Sequence, residues 1–342
     1  MPPIEQQPAG PVLDPNVIHV LVTGFGPFWK YDENPSWLAV KPLHNTIIYT
    51  EPQPPSEPNG QNDPPSAYIE PMQEDGSAPL QQIHITTLIV PVVYQDVLAI
   101  APGLHARPPV LPTPADPTFT ATHLPQNGFD FIFHIGVAGR GPLRIERLGH
   151  KLNYRMKDVE GQYAPVVQLP KDPAPQEPAE AERLEMQRLL AISSVTIDGL
   201  PGPNGFRGGL ELTNGERALE PQHHEHQPAR GFGKGYEGFA DELFTEIDVT
   251  RLIYHLKKTG IEQVYSSMDA GHYLCDFLFY CSLAEAKRNA SKQEKDKARS
   301  TPPKMTPVLF MHCCPEGQPM DTPEVTQAIM QIIVWVCARL SV

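Results

Sequence analysis

Short apolar runs alternate with amphipathic stretches along much of this chain. Residues 18–23 are almost continuously apolar, as in a central strand of a parallel sheet that is covered on both faces. Similar β-prone runs at 83–93, 129–135, 143–148, 263–267 and 308–312 predict further strands. Between them lie helical patterns. Asn34-Pro35-Ser36-Trp37 opens one that runs through Leu43, and a short one is expected over 94–101. Val249, Leu252, Ile253 and Leu256 recur at i, i+3, i+4 and i+7, with Asp248 as cap and Gly260 as stop. Tyr273, Leu274, Phe277, Leu278 and Cys281 share that spacing, so another helix begins near Tyr273. A last one is expected to start with Thr322 as cap and Pro323 at its first position. Strands alternating with helices predict an α/β three-layer sandwich with a mostly parallel central sheet, and such sheets place chemistry at the carboxyl ends of strands.

Composition changes this picture in one respect. Among 342 residues there are 40 prolines and the mean hydropathy is -0.32, so much of the chain is not core. A single domain over 1–342 with long irregular insertions is expected. Residues 1–16 read as a mobile tail, and 51–80, 102–126 and 163–240 as insertions or loops, the last with a helical pattern at 179–192. A net charge of -13 and a pI near 5.4 set the chain against nucleic acid and anionic membrane surfaces, which would repel it. The apolar run at 328–340 is too short to span a bilayer. Five cysteines without framework spacing, and no secretory pattern at the start, predict a reducing, cytoplasmic location.

Candidate chemistry concentrates around Cys275. At the first turn of a helix, unpaired backbone N–H groups and the helix dipole favour a thiolate, whereas an ordinary core cysteine is the commoner fate of such a residue. His312 ends an apolar strand and is the candidate base, or else a plain strand-end histidine. Glu146 would hold the imidazole, or would simply pair with Arg144 or Arg147. A rival reading takes His312, Cys313 and Cys314, with Cys275 or Cys281, as soft metal ligands, but adjacent cysteines lack the C-x-x-C spacing of zinc sites. His223, His224 and His226 fall in a Pro- and Gln-rich stretch that reads as a solvated loop, and the glycines of 231–235 as a flexible one. Gly24-Phe25-Gly26 lacks the third glycine of a dinucleotide-binding turn.

The ordered set of motifs is more specific than any one residue. Gly24-Phe25-Gly26-Pro27-Phe28, Asn34-Pro35-Ser36, His134-Ile135-Gly136-Val137-Ala138, Ile145-Glu146-Arg147, the stretch 269–276 and Phe310-Met311-His312 occur in the order found in the pyroglutamyl peptidase I family of cysteine peptidases, which the chain resembles. The resemblance implies a phosphorylase/hydrolase-like α/β fold and removal of an N-terminal pyroglutamyl residue from small peptides through an acyl-enzyme. It implies neither metal nor cofactor, and leaves the oligomeric state open. Cys275 would be the nucleophile, His312 the base and then the acid, and Glu146 the orienting carboxylate. Arg155 would lie near the oxyanion. Phe25 and Phe28 would enclose the lactam ring, with Asn34 and main-chain groups at Gly136 and Val137 completing the substrate site. Asp269 and Asp276 stand where the family has Ser and Asn. Asp269 is expected either to cap the helix or, with Asp276, to oppose thiol ionisation. On the second view the chain is a catalytically impaired relative that keeps the fold as a binding or interaction protein.

Overall fold

The computed structural model describes residues 13–51, 80–121, 123–168, 228–296 and 303–340. The chain divides into two units, Met1–Val167 with Ala229–Val342, and Gln168–Pro228. The first carries every element below.

Its centre is a sheet of seven strands: β1 (Ile18–Phe25), β2 (Thr46–Tyr49), β3 (Gln82–Val90), β4 (Phe131–Val137), β5 (Leu143–Glu146), β8 (Val264–Ser267) and β9 (Val308–Cys313). Their order across the sheet is β2-β3-β1-β4-β9-β5-β8. The pairs β3–β1, β1–β4, β4–β9 and β5–β8 are parallel, whereas β2–β3 and β9–β5 are antiparallel. The mostly parallel α/β sandwich read from the sequence is therefore present. One detail differs: β5 and β8 run against the central four strands, so the carboxyl end of β8 points away from that of β9. A second, small sheet pairs β6 (Leu148–His150) with β7 (Glu242–Phe244).

Helices cover both faces. On one lie α1 (Pro35–Val40), α3 (Val249–Lys258) and α5 (Thr322–Leu340); on the other lie α2 (Tyr94–Leu104) and α4 (Leu274–Lys295). Asp248 caps α3 by accepting from Arg251 N at 3.0 Å. Gly260, at φ 97°, ends it in a Schellman turn with Ile261 N donating to Leu256 O at 2.9 Å. At α5 the expected cap is displaced by one residue. Asp321 accepts from Glu324 N at 2.9 Å and Glu324 Oε2 accepts from Asp321 N at 2.7 Å, a reciprocal capping box that uses two side chains where Thr322 could offer one. No helix among the described residues is long and apolar enough to cross a membrane.

Several segments read as loops are built into the core. Residues 1–12, 52–79 and the helical pattern at 179–192 lie outside the described residues, but Asp14 N donates to Gln82 Oε1 at 2.8 Å and so ties the end of the expected tail to β3. Helix α2 runs through Pro102 to Leu104, into the expected loop 102–126, because Leu104 is buried under it. The described flanks of 163–240 pair with each other, Val167 N to Ala229 O at 2.8 Å and Gly231 N to Pro165 O at 2.9 Å. Phe232, between the glycines taken as a flexible loop, stacks on Phe277 at 4.0 Å and is fully buried. Gly231 is required there: at φ 151°, any Cβ would meet Lys151 O at 2.0 Å.

Candidate active site

The site grows from the alternation of side chains along three strands. Residues two apart on a strand share a face, and in-register partners on neighbouring strands share it too. Gly136 on β4 pairs with His312 on β9, which pairs with Arg144 on β5; Phe310 pairs with Glu146. One face therefore collects Gly136, Phe310, His312, Arg144 and Glu146. His312 Nδ1 lies 2.6 Å from Glu146 Oε1, and both side chains are buried. An ionised carboxylate can only accept, so Nδ1–H donates, and in a neutral imidazole that leaves the lone pair on Nε2. Arg144 Nε stands 3.9 Å from the same carboxylate oxygen. Glu146 thus bonds the histidine and also faces Arg144.

Cys275 is the second residue of α4, where backbone N–H groups have no intrahelical acceptor. Gly271 at φ 95° and His272 at φ 45° turn the chain into this helix, and Tyr273 is its N-cap without a side-chain bond. Asp269 is therefore not the helix cap. Its Oδ1 instead accepts from Gly271 N at 2.7 Å and shapes the preceding turn. A Cβ added at Gly136 would meet Cys275 Sγ at 2.8 Å and Phe310 Cζ at 2.9 Å. The sulfur thus rests against the bare backbone of Gly136, beside the strand position of His312. Among the described residues no hydrogen bond joins Cys275 to His312.

The thiol keeps partial access to solvent but lies among packed side chains. Burial, then the Glu146 and Asp276 carboxylates, push it up to about 12, against the smaller opposing pull of Arg144 and of its own backbone N–H. The Asp276 carboxylate is held by β6. It accepts from His150 N at 2.9 Å and faces His150 Nδ1 at 2.9 Å, and it holds the His150 imidazole above its ordinary value.

The expected substrate residues divide. Phe25 is buried, and its N–H donates to Ser36 Oγ at 3.0 Å. Phe28 is half-buried with its ring 5.6 Å from that of Tyr273. Val137 is half-buried at the end of β4. Asn34 is buried, donating to Gly26 O at 3.1 Å and accepting from Ser36 N and Ser36 Oγ at 3.1 and 2.9 Å. With its amide used in this way it braces the turn after β1 rather than offering itself to a ligand. Arg155 is exposed and has no hydrogen bond or ion pair among the described residues, whereas Arg144 is the cation whose charge acts on Cys275. The sequence holds a signal for Arg144, since it stands two residues before Glu146 in a strand. Tyr273 also went unassigned; its ring packs near Phe28 and Tyr94, and its hydroxyl donates to Lys157 O at 3.0 Å. The rival soft-ligand set is not assembled: Cys313 and Cys314 belong to the apolar cluster on the opposite face. A groove of about 410 Å³ lined by Trp37, Leu88, Leu111 and Phe119 includes none of the candidate triad.

No family model matches the chain, and no curated protein does. Solved structures to which it is similar include pyroglutamyl peptidase I of Bacillus amyloliquefaciens, at 18% identity over 94% of this chain and 97% of that one, with a TM-score of 0.49. Pyrrolidone carboxyl peptidase of Pyrococcus furiosus is similar at 16% identity over 94% of this chain and 100% of its own, with a TM-score of 0.49. Pyrrolidone carboxyl peptidase of Fervidobacterium islandicum is similar at 19% identity over 94% and 99%, with a TM-score of 0.45. Identities and TM-scores this low leave any assignment of chemistry to the residues themselves.

Proposed function

We propose that this chain is a cysteine peptidase that hydrolyses the N-terminal pyroglutamyl residue of small peptides through an acyl-enzyme, in the reducing cytoplasm. The supporting observation is the buried His312–Glu146 pair, with Cys275 lodged against Gly136 in register beside it. In this reading His312 Nε2 takes the thiol proton as sulfur attacks the scissile carbonyl. The histidine then returns that proton to the departing amine, leaving a pyroglutamyl thioester. Water attacks the thioester with His312 again as base, and the thiol is restored. Because the resting thiol is held up to about 12, the thiolate forms only as attack proceeds rather than standing preformed. Arg144 and the free N–H groups of the first turn of α4 supply positive potential for the oxyanion. Phe25, Phe28 and Tyr273 supply apolar surface for a small uncharged lactam, with main-chain groups at Gly136 and Val137 for its polar edges.

A second reading is favoured by one observation, the same elevated thiol with no hydrogen bond to His312. On it the chain is a catalytically impaired binding protein for pyroglutamyl peptides. Release of a fluorophore from a pyroglutamyl amide separates the two. Turnover by the wild type and none by Cys275→Ala supports the peptidase. Equal absence of turnover from two folded proteins, with retained binding of a pyroglutamyl peptide, would establish the binding reading instead.

A further inference from the structure

Where β6 meets the first turn of α4, three side chains converge that the proposed peptidase chemistry leaves unused. Asp276 is fully buried, and His150 and His272 are half-buried. One ligand atom from each lies within 4.8 Å of the others. His150 Nδ1 is 2.9 Å and His272 Nδ1 3.5 Å from the same oxygen, Asp276 Oδ2. The two imidazole centroids are 4.3 Å apart. Donors at the roughly 2.0–2.1 Å bond lengths of tetrahedral zinc are separated from one another by about 3.3 Å, so these spacings bracket a shared coordination sphere.

Backbone geometry holds the cluster in place. Gly149 lets β6 approach α4 so closely that a Cβ there would meet Tyr280 N at 2.7 Å, and this sets the next residue, His150, against the first turn of the helix. His272 occupies the left-handed region at φ 45°, costly for a side chain of its size, and in that conformation its ring reaches Asp276. Asp276 Oδ1 accepts from His150 N at 2.9 Å, which fixes the carboxylate and leaves Oδ2 to face both rings. Two imidazoles crowded on one carboxylate repel if both are protonated, whereas a divalent cation is bound by all three.

We propose that His150, His272 and Asp276 form a binding site for a borderline divalent transition-metal ion of the zinc class, with water completing a tetrahedral sphere. Coordination runs through Nδ1 of each neutral imidazole. The Nδ1 protons that now face Asp276 and Leu152 O move to Nε2, and a protonated His150 releases one proton to solvent. The ion ties β6 to the first turn of α4 and does not touch the sulfur in this proposal.

The test is zinc affinity of the full chain, read by competition with a chromophoric chelator. It is made on a Cys275→Ser background, so that the candidate thiol contributes nothing and loss of peptidase activity has no bearing on the result. One equivalent of zinc should bind tightly. Asp276→Asn, which keeps the side-chain shape, and His150→Gln should each weaken that binding at least tenfold with unchanged circular dichroism, and His272→Asn, which tolerates the left-handed conformation, should weaken it similarly. Cobalt substitution should give the visible absorption of a tetrahedral site, lost in Asp276→Asn. Affinity in the folded Asp276→Asn and His150→Gln proteins equal to that of their parent would overturn the site, as would absence of tight binding in the parent.

Discussion

The two faces of the central sheet are built from the same strands yet do different work. On β9, Leu309, Met311 and Cys313 enter an apolar cluster under α1, α3 and α5, while Val308, Phe310 and His312 face α2 and α4. On β5, Leu143 and Ile145 go to the first face and Arg144 and Glu146 to the second; on β4, Phe133 and Ile135 oppose His134 and Gly136. The apolar face supplies cohesion, each large side chain being worth roughly 1.5–3 kcal/mol when fully buried. The other face gives up part of that to hold buried polar groups, some of which partner one another. His312 has Glu146 at 2.6 Å, and His134 Nδ1 has Thr23 Oγ1 at 2.8 Å.

Substitutions on adjacent strands, one into each face, should separate the two. If the proposed peptidase reading holds, Glu146→Gln lowers kcat by about 10⁴, as removal of the orienting carboxylate does in related triads. Met311→Ala, pointing the other way, costs about 2–5 kcal/mol of stability in a denaturant titration and leaves turnover per folded molecule unchanged. Comparable losses of turnover in both would erase the distinction. Gly136→Ala should reduce turnover by roughly 10²-fold, because its Cβ must displace Cys275 Sγ, 2.8 Å away, and a misplacement of about 1 Å has effects of that order. Its rate on the pyroglutamyl amide, compared with the wild type, tests whether the sulfur must rest on bare backbone.

Smaller effects are expected from Asp276. Its charge raises the Cys275 thiol, so Asp276→Asn should move the pH profile of Cys275 alkylation by iodoacetamide to lower pH. An unmoved profile would mean that burial and Glu146 alone hold the thiol up. The same carboxylate raises His150 above 6.5. A histidine raised on folding adds stability that is fully present below its unfolded value and is lost as pH rises through its folded value. The stability advantage of wild type over Asp276→Asn should therefore be largest below about pH 6.5 and shrink above it. Asp269 and Glu242 also raise His150 and remain in both proteins, so the difference isolates Asp276.

Sheet, helices and the positions of Cys275, His312 and Glu146 were legible because each rests on local periodicity or on a short motif. The strand at 308–312 and the helix at 248–258 declared themselves through runs of about one element's length. The aromatic core around Phe232 and Tyr236 did not, since its glycines and prolines lower local apolar density and only contact with Phe277 and Cys281 reveals burial. Strand β2 was missed for a related reason: four residues without clean alternation say little until β3 lies beside them. Arg155 was matched by its place in the chain, whereas Arg144 is set by strand pairing across to His312.

By itself the sequence determined which residues could carry acid, base and thiol chemistry, and that they lie at the ends of elements, because dihedral preference and side-chain period act within a few residues. Tertiary structure decided which of them meet. It set Glu146 rather than solvent against His312, placed Cys275 on Gly136, and turned Asp276 toward His150. Those pairings depend on strand direction, register and helix approach between residues over a hundred positions apart, and no local preference encodes them.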